Sequence, residues 1–380
     1  MGWREVERAF VDAVERRVFP GATVIARRGD HIIFEGAFGF RTLLPQPHPM
    51  TIDTVFDLSS LTKVLATTIL VMMLTRESRL RLDDKVTRFF PDFGLHGKGR
   101  VTFRHLLAHC SGLAAWRPFY DQIAAIEKAG KVNFMSGPGA KQLIFEEIHR
   151  EKPEAEAGAK AIYSDLNFIL LGEIAERATG APLNRLCRDH IYNDLGLPAT
   201  GFIDISLARA RKLKPVLEMF AATENCPSRK RLLIGEVDDD NAFAMGGVAG
   251  HAGLFAPVRD VDKIAAQLLA CYHGRSDFVQ QKIIREFWTR DSAVPGSTWA
   301  LGWDTPSPGR SSSGHRFPAT AVGHLGFTGT SIWIDPAREI SIAILTNRVH
   351  PSRDNQAIRE FRPAIHDLIM EALEGEGDGG

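Results

Sequence analysis

Two pairs of antiparallel strand patterns, one at each end of the 380-residue chain, most constrain its fold. Near the start, the apolar runs 22–26 and 31–35 flank a polar turn, and near the end, the runs 330–334 and 339–345 flank another. An isolated hairpin is only marginally stable, so both pairs are expected to share one sheet. The sequence therefore predicts an α+β fold, in which an antiparallel sheet from both chain ends is flanked by helices and carries an inserted, mainly helical lobe.

Apolar residues at helical spacing predict three long helices, at 166–179, at 258–272 and, closing the chain, at 363–373. A chain of this length can bury the core of one large domain with two packed lobes. The predicted division is a single domain at 5–370, an α/β lobe from about 1–60 and 300–373, a mainly helical lobe at about 61–299, and a frayed tail at 374–380.

Charge and apolar patterning argue against several classes of function. Lys plus Arg and Asp plus Glu both number 46, so the chain lacks the basic field of a nucleic-acid binder or a polybasic membrane anchor. The most apolar run, 64–74, is about half the length of a membrane span, and the charged N-terminus lacks the apolar core of a signal peptide. A cytoplasmic location follows by default, and four scattered cysteines are typical of buried free thiols. A small molecule or short peptide is the expected substrate, and nothing indicates an oligomeric state.

Ser60 and Lys63, in the segment Phe56-Asp-Leu-Ser-Ser-Leu-Thr-Lys63, are the first candidates for catalysis. On a helix, their i, i+3 spacing places both side chains on one face. Lys63 is the only charged residue between Leu61 and Leu74, so burial is expected to lower its pKa and make it a proton acceptor for the Ser60 hydroxyl. A structural alternative stays open, in which Ser60 caps the helix and Lys63 reaches solvent.

The segment Tyr163-Ser-Asp-Leu-Asn167 precedes a predicted helix and holds the second set of candidates. In the functional interpretation, Tyr163 points into a cleft and shares a proton with Ser60 and Lys63. In the structural one, Tyr163 is a core aromatic with a satisfied hydroxyl, and Asp165 or Asn167 caps the helix.

The segment Val322-Gly-His-Leu-Gly-Phe-Thr-Gly-Thr330 leads into the last strand pair and holds the third set. Gly326 removes a side chain where a substrate backbone could approach the strand. His324 could steady the substrate or the tyrosine hydroxyl. The alternative is a glycine-rich turn with a surface histidine.

Together and in this order, the three segments resemble the motifs of the serine β-lactamase and penicillin-binding-protein superfamily. The resemblance is strongest to the branch of class C β-lactamases, D-Ala-D-Ala carboxypeptidases and related esterases, in which the second motif is Tyr-x-Asn and the third is often His-x-Gly. It extends over roughly residues 5–370 and includes the segments 101–113, 246–255 and 301–304. It implies a β-lactamase/transpeptidase-like fold.

The resemblance also implies a role for each matching residue. Ser60 would be the acylated nucleophile, Lys63 its base or proton relay, and Tyr163 the group that protonates the leaving group. The backbone N–H groups of Ser60 and Phe327 would form the oxyanion hole.

His324, Gly326 and Asp165 would bind substrate, and two of them depart from the family pattern. Asp165 stands where the β-lactamase motif has Asn, and His324 stands where penicillin targets have Lys. Because a histidine is mostly neutral at pH 7, an efficient β-lactamase is less expected than an enzyme for esters or for peptides that end in D-amino acids.

A metal-independent serine hydrolase that forms an acyl-enzyme on Ser60 is therefore the predicted function, with small esters and D-Ala-type peptides as equal candidate substrates. The alternative is an acylatable β-lactam or peptide sensor with little turnover, and a weaker alternative is a β-lactamase or an acyltransferase. No cofactor and no metal are expected.

Four other segments have mainly structural interpretations. His105 and His109 have the i, i+4 spacing of a zinc pair but lack the intervening Glu of an HExxH motif. The glycines at 246–253 lack the residues of a nucleotide loop and are interpreted as a tight turn beneath the active site. The acidic run 236–240 is interpreted as a solvated loop, and the polar run 222–232 as a surface loop that alternatively borders the cleft.

Overall fold

The computed structural model describes residues 2–130, 132–213 and 216–377. In the order of the chain, its strands are β1 (Gly21–Arg28), β2 (His31–Thr42), β3 (His48–Pro49), β4 (Phe56–Asp57), β5 (Gly201–Phe202), β6 (Ala222–Cys226), β7 (Arg231–Ile234), β8 (Leu254–Ala256), β9 (Val322–Leu325), β10 (Ser331–Asp335) and β11 (Ile340–Thr346). Its α-helices are α1 (Trp3–Glu15), α2 (Thr68–Arg76), α3 (Phe103–Leu107), α4 (Phe119–Gly130), α5 (Pro138–Arg150), α6 (Asp165–Thr179), α7 (Leu183–Cys187), α8 (Ile205–Arg211), α9 (Asp240–Ala244), α10 (Val258–Tyr272), α11 (Gln281–Phe287) and α12 (Ile358–Gly377).

The central sheet joins both ends of the chain, as the strand patterns predict. Its six strands run in the order β3-β2-β1-β11-β10-β9, and every pairing between neighbours is antiparallel. The first and last long strands lie side by side, in a register that pairs Ala22 with Thr346 and Arg28 with Ile340. The α+β fold class is confirmed.

Both faces of this sheet are apolar, because successive side chains of a strand point to opposite faces. On one face, Val24 and Ile342 pack with α1 and α12. On the other face, Ile25 and Ala343 join the larger core that includes α10 and the inserted helices. The two layers of helices therefore hold the strand pairs of the two chain ends in one rigid sheet.

Two boundaries differ from the sequence prediction. Helix α10 packs against β1 and β11, so it lies on the sheet although its position in the chain falls within the predicted helical lobe. The closing helix begins at Ile358, not at Pro363, and continues to Gly377. It thus includes the first part of the predicted tail, and residues 378–380 lie outside the described residues.

The inserted lobe is built around buried helices. The predicted helix at 166–179 is α6, which begins one residue earlier and ends at Gly180 in the left-handed conformation that favours glycine. The run 64–74 is buried. Its first residues belong to a π-helical segment, Lys63–Thr67, and the others belong to α2, into which that segment continues. All four cysteines are free and buried, as expected. Within the part of the chain that the structure describes, no helix is both long and apolar enough to cross a membrane.

A buried ion pair between β1 and α10 generates a prediction for stability. Arg27 Nε and Nη2 donate to the two carboxylate oxygens of Asp262 at 2.8 and 2.6 Å, and both side chains are nearly inaccessible. Asp262→Ala leaves the guanidinium buried and unpaired, so the free energy of unfolding should fall by about 3–5 kcal/mol. Chemical denaturation measures this loss.

The exposed Asp194 provides the control for this substitution. Asp194→Ala should change the free energy of unfolding by no more than about 0.5 kcal/mol. The double variant Arg27→Met with Asp262→Leu should recover most of the loss, because no charge is left unpaired. A loss below about 1 kcal/mol for Asp262→Ala would contradict the assignment of this pair as a buried contact that joins sheet and helix.

Candidate active site

Ser60 lies in a tight turn between β4 and the π-helical segment. The turn is closed by backbone hydrogen bonds from Leu61 to Leu58, from Thr62 to Ser59 and from Lys63 to Ser60, each 3.0 Å long. It places Lys63 Nζ 2.8 Å from Ser60 Oγ, and the Tyr163 hydroxyl lies 2.8 Å from the same oxygen. The three residues that the sequence predicts as a catalytic group are thus brought together.

Lys63 is fully buried, and its ammonium donates two hydrogen bonds and forms an ion pair with a third oxygen. Nζ lies 2.8 Å from Ser60 Oγ, 3.1 Å from the His251 carbonyl oxygen and 2.8 Å from Asp165 Oδ1. Burial lowers the pKa of Lys63, but the Asp165 carboxylate and Tyr163 outweigh it, so the net pKa is raised. The expectation of a lowered pKa is wrong because a carboxylate stands where the family motif has an amide.

Tyr163 lies between the nucleophile and an aromatic wall. Its ring stacks on Trp299, with centroids 5.4 Å apart and planes 16° apart, and contacts the His109 ring at 4.8 Å. The ring is partly exposed, whereas the buried hydroxyl has a raised pKa, although the Lys63 ammonium opposes the shift. At neutral pH, Tyr163 is therefore a phenol that donates a hydrogen bond to Ser60.

His324 is buried on β9 and faces the same cavity. Burial and the nearby Lys63 charge lower its pKa to about 3, so the ring is neutral at pH 7. Its Nδ1 lies 2.8 Å from the Leu325 carbonyl oxygen, which fixes the proton on Nδ1 and leaves Nε2 as an acceptor. Nε2 is itself buried and has no hydrogen-bond partner among the described residues, so a direct contact of His324 with substrate stays a prediction.

Gly326 and Phe327 form the edge of the cavity next to the nucleophile. A Cβ atom on Gly326 would lie 2.0 Å from Thr330 Oγ1 and 2.6 Å from the Leu58 carbonyl oxygen. Glycine is required there because the turn that carries Ser60 packs against it; Gly326 also lines the first cavity, so the expected approach of a substrate stays a prediction. The Phe327 N–H group, predicted for the oxyanion hole, donates to Ser59 Oγ at 3.2 Å.

Two cavities meet at Ser60, Tyr163 and Phe327. The first has a volume of about 380 Å³, and its lining includes three arginines, Arg348, Arg359 and Arg362. The second has a volume of about 330 Å³, and its lining includes four aspartates and one arginine: Asp165, Asp238, Asp239, Asp240 and Arg353. The nucleophile therefore stands between a mainly basic and a mainly acidic compartment.

The acidic run 236–240 is not the solvated loop that was expected. Asp238 is 2% exposed, and burial together with the charge of Asp57 raises its pKa to about 7. Two cations hold the run in the interior: Arg229 pairs with Asp240 at 2.8 Å, and Arg353 lies 3.7 Å from Asp238. The run 222–232 belongs to the β6–β7 hairpin. This hairpin supplies Arg229 to the cluster and so supports the acidic residues that line the second cavity.

The glycines at 246–253 form the predicted turn beneath the nucleophile. The Gly250 carbonyl oxygen accepts from Thr67 Oγ1 at 2.7 Å, and the next carbonyl, of His251, accepts from Lys63. A Cβ atom on Gly250 would lie 2.0 Å from the Phe168 carbonyl oxygen, so the close approach of this turn to α6 requires glycine.

Potential metal ligands group differently from the sequence candidates. His105 Nδ1 lies 3.2 Å from the Thr102 amide nitrogen at the start of α3, and His109 Nδ1 accepts from the Ser164 N–H group at 3.1 Å, so the two serve separate local contacts. Among the described residues, Asp165, Asp239 and His251 bring one ligand atom each within 4.8 Å of one another. The Lys63 ammonium already provides the positive charge beside Asp165, and a bound cation would have to compete with it.

Several residues of the site have no sequence signal that identifies them. Trp299 and the three arginines of the first cavity lie far from the motifs in the chain. Asp304 ends the segment 301–304, which the resemblance included without a role. It lines the first cavity, and burial raises its pKa to about 6.

Comparisons with known proteins identify the family of this chain. The family model described as Beta-lactamase matches residues 6–365. A protein of Escherichia coli (strain K12) named "Putative D-alanyl-D-alanine carboxypeptidase" is 32% identical over 371 residues, with 89% of this chain and 81% of that protein covered. The N-acetylmuramyl-L-alanine amidase of Bacillus subtilis (strain 168) is 33% identical over 361 residues, with 87% of this chain and 78% of that protein covered.

A solved structure shows the same fold at lower identity. The octameric penicillin-binding protein homologue from Pyrococcus abyssi superposes with a TM-score of 0.72 at 22% identity, over 98% of this chain and 78% of that one. The match of the family model over nearly the whole chain, and the identity to the bacterial relatives, decide the assignment: the chain belongs to the beta-lactamase family.

Proposed function

We propose that the protein is a serine hydrolase that forms an acyl-enzyme on Ser60 and acts on small substrates that carry a carboxylate near the scissile bond, such as D-Ala-type peptides. The observation that carries the proposal is the position of Ser60 Oγ, 2.8 Å from both Lys63 Nζ and the Tyr163 hydroxyl, where two cavities meet. A nucleophile with two proton-transfer groups in contact and room for substrate on both sides is suited to acyl transfer.

The chemistry begins from a resting state in which Lys63 is an ammonium and Tyr163 is a phenol. Lys63 first releases a proton to bulk water by way of the partly exposed Asp165 carboxylate; its neutral amine then takes the Ser60 proton as Oγ bonds to the substrate carbonyl carbon. Tyr163 passes a proton to the leaving nitrogen or oxygen as the bond from that atom to the carbonyl carbon breaks, and Lys63 returns a proton to Tyr163. Water then attacks the acyl-enzyme by the reverse proton route, which releases the acid and restores Ser60.

The first cavity favours an anionic substrate over a neutral ester. None of Arg348, Arg359 and Arg362 forms an ion pair in the described part of the chain. Arg348 and Arg362 are buried and donate to backbone carbonyl oxygens, whereas Arg359 is exposed. Burial and the charge of Arg348 lower the pKa of Arg362 to about 9, and Asp304 is the one carboxylate that lines this cavity beside the three arginines, so the cavity lacks compensating negative charge. A substrate carboxylate would supply it, and the relatives from E. coli and B. subtilis are named for hydrolysis of amide bonds.

The exposed Arg359 provides the test of substrate class. We expect an N-acylated D-Ala-D-Ala peptide to be hydrolysed faster than its C-terminal amide. Arg359→Ala should lower the ratio of peptide to p-nitrophenyl butyrate turnover, each as kcat/KM, by about tenfold, as expected for the loss of about 1.4 kcal/mol of charge interaction. Steady-state kinetics on both substrates give this ratio.

The matched control is Arg310→Ala, which removes an exposed arginine that lines neither cavity. It should leave the ratio unchanged. Equal turnover of the peptide and its amide, together with an unchanged ratio in Arg359→Ala, would reject a carboxylate-bearing substrate. A penicillin adduct that persists without turnover of any of these substrates would instead favour the sensor.

Asp165→Asn tests the proton-transfer scheme through pH. Asp165 raises the pKa of Lys63, so replacing its charge lowers that pKa and increases the fraction of neutral lysine at any pH below it. The acidic limb of the plot of kcat/KM against pH should therefore move to lower pH. Asp194→Asn, a change at an exposed site, should leave the limb in place. If the acidic limb of the Asp165→Asn profile stays at the wild-type pH or moves to higher pH, the result would contradict the role of Lys63 as the base.

A further inference from the structure

Ser59, the residue before the nucleophile, holds the amide that the family resemblance assigns to the oxyanion hole. Its hydroxyl oxygen accepts the Phe327 N–H group at 3.2 Å. Within the described residues, Ser59 Oγ forms no other hydrogen bond, so the hydroxyl proton remains free for another acceptor. Ser59 also lines the second cavity together with Ser60, so that acceptor can be part of a substrate.

The backbone at Ser59 is held in a conformation that side chains rarely adopt. Its φ is 48°, in the left-handed region. Its N–H group donates to Asp57 Oδ1 at 2.8 Å, and its carbonyl oxygen accepts from the Thr62 N–H group at 3.0 Å and from the Thr62 hydroxyl at 2.6 Å. Strain that the surroundings fix in this way is typical of functional sites.

We propose that the Ser59 hydroxyl is the second direct donor of the oxyanion site, beside the Ser60 N–H group, and donates a hydrogen bond to the oxygen of the tetrahedral intermediate formed on Ser60. The inference rests on the proposed function, because it requires acylation of Ser60. A hydroxyl accepts one hydrogen bond while it donates another, so the Phe327 N–H group keeps its bond to Ser59 Oγ and polarises the hydroxyl. Alignment of the two dipoles strengthens the bond to the oxyanion.

In this arrangement, the Ser60 N–H group contacts the oxyanion directly, whereas the Phe327 N–H group acts through Ser59. No proton is transferred in this step, because the hydroxyl only donates a hydrogen bond to the negative oxygen. A side chain directly beside the nucleophile can reach that oxygen only if the backbone turns sharply, and the positive φ of Ser59 provides that turn.

Ser59→Ala and Ser59→Gly test the proposal together. Both remove the hydroxyl, but only glycine relieves the positive φ, so a hydroxyl role predicts the same loss in both variants. We expect kcat for p-nitrophenyl butyrate to fall by about tenfold, less than the loss of a complete oxyanion donor because the Phe327 N–H group becomes free to substitute. KM should change little, and affinity for phenylboronic acid, which forms a tetrahedral adduct with a catalytic serine, should fall by a similar factor.

Ser313→Ala removes a buried hydroxyl that lines neither cavity and serves as the control; its kinetics should match those of the wild type. An unchanged or higher kcat and an unchanged boronate affinity in both Ser59 variants would overturn the inference. If the wild type hydrolyses p-nitrophenyl butyrate and this activity requires Ser60, that result rejects only the proposed role of Ser59. If the wild type neither turns over nor forms an adduct on Ser60, the proposed function fails, and this inference fails with it.

Discussion

The buried ammonium of Lys63 is the interaction on which the site depends. A charge with no solvent contact is stable only when its surroundings supply polar or charged partners, and here three different parts of the chain supply one oxygen each. The start of α6 provides Asp165, the glycine turn at 246–253 provides the His251 carbonyl oxygen, and the turn before the π-helical segment provides Ser60. The requirement that fixes the lysine therefore also fixes the nucleophile against it.

The sheet from the two chain ends supplies the opposite wall. Strand β9 carries His324, and the turn from β9 to β10 carries Gly326 and Phe327. Both strands are held in register by β11 and β1. Gly326 lies close to Leu58, so the sheet edge packs directly against the turn that carries Ser60. The inserted lobe and the sheet thus meet at the nucleophile, and each contributes groups that the other lacks.

The proximity of Ser60 and Lys63 could be predicted because it follows from local helical spacing. The shared sheet could be predicted because neither strand pair is stable alone. The raised pKa of Lys63 could not be predicted, since it is the balance of a burial penalty and a carboxylate whose distance only the fold determines. The position of Arg359 in the first cavity could not be predicted either, because Arg359 belongs to a helix about 300 positions further along the chain than the nucleophile. The hydrogen bond from the Phe327 N–H group to Ser59 Oγ depends on the positive φ of Ser59. The presence of a serine in the sequence does not predict that backbone conformation.

The central claim is that Ser60 becomes covalently acylated during turnover. Peptide mapping by mass spectrometry after brief mixing of the protein with p-nitrophenyl butyrate, a penicillin and a D-Ala-D-Ala peptide tests it most directly. The account predicts a transient adduct on the peptide that contains Ser60 with at least one of the three, and neither adduct nor product with Ser60→Ala. Product formation that persists in Ser60→Ala, or an adduct that maps to another residue, would contradict it.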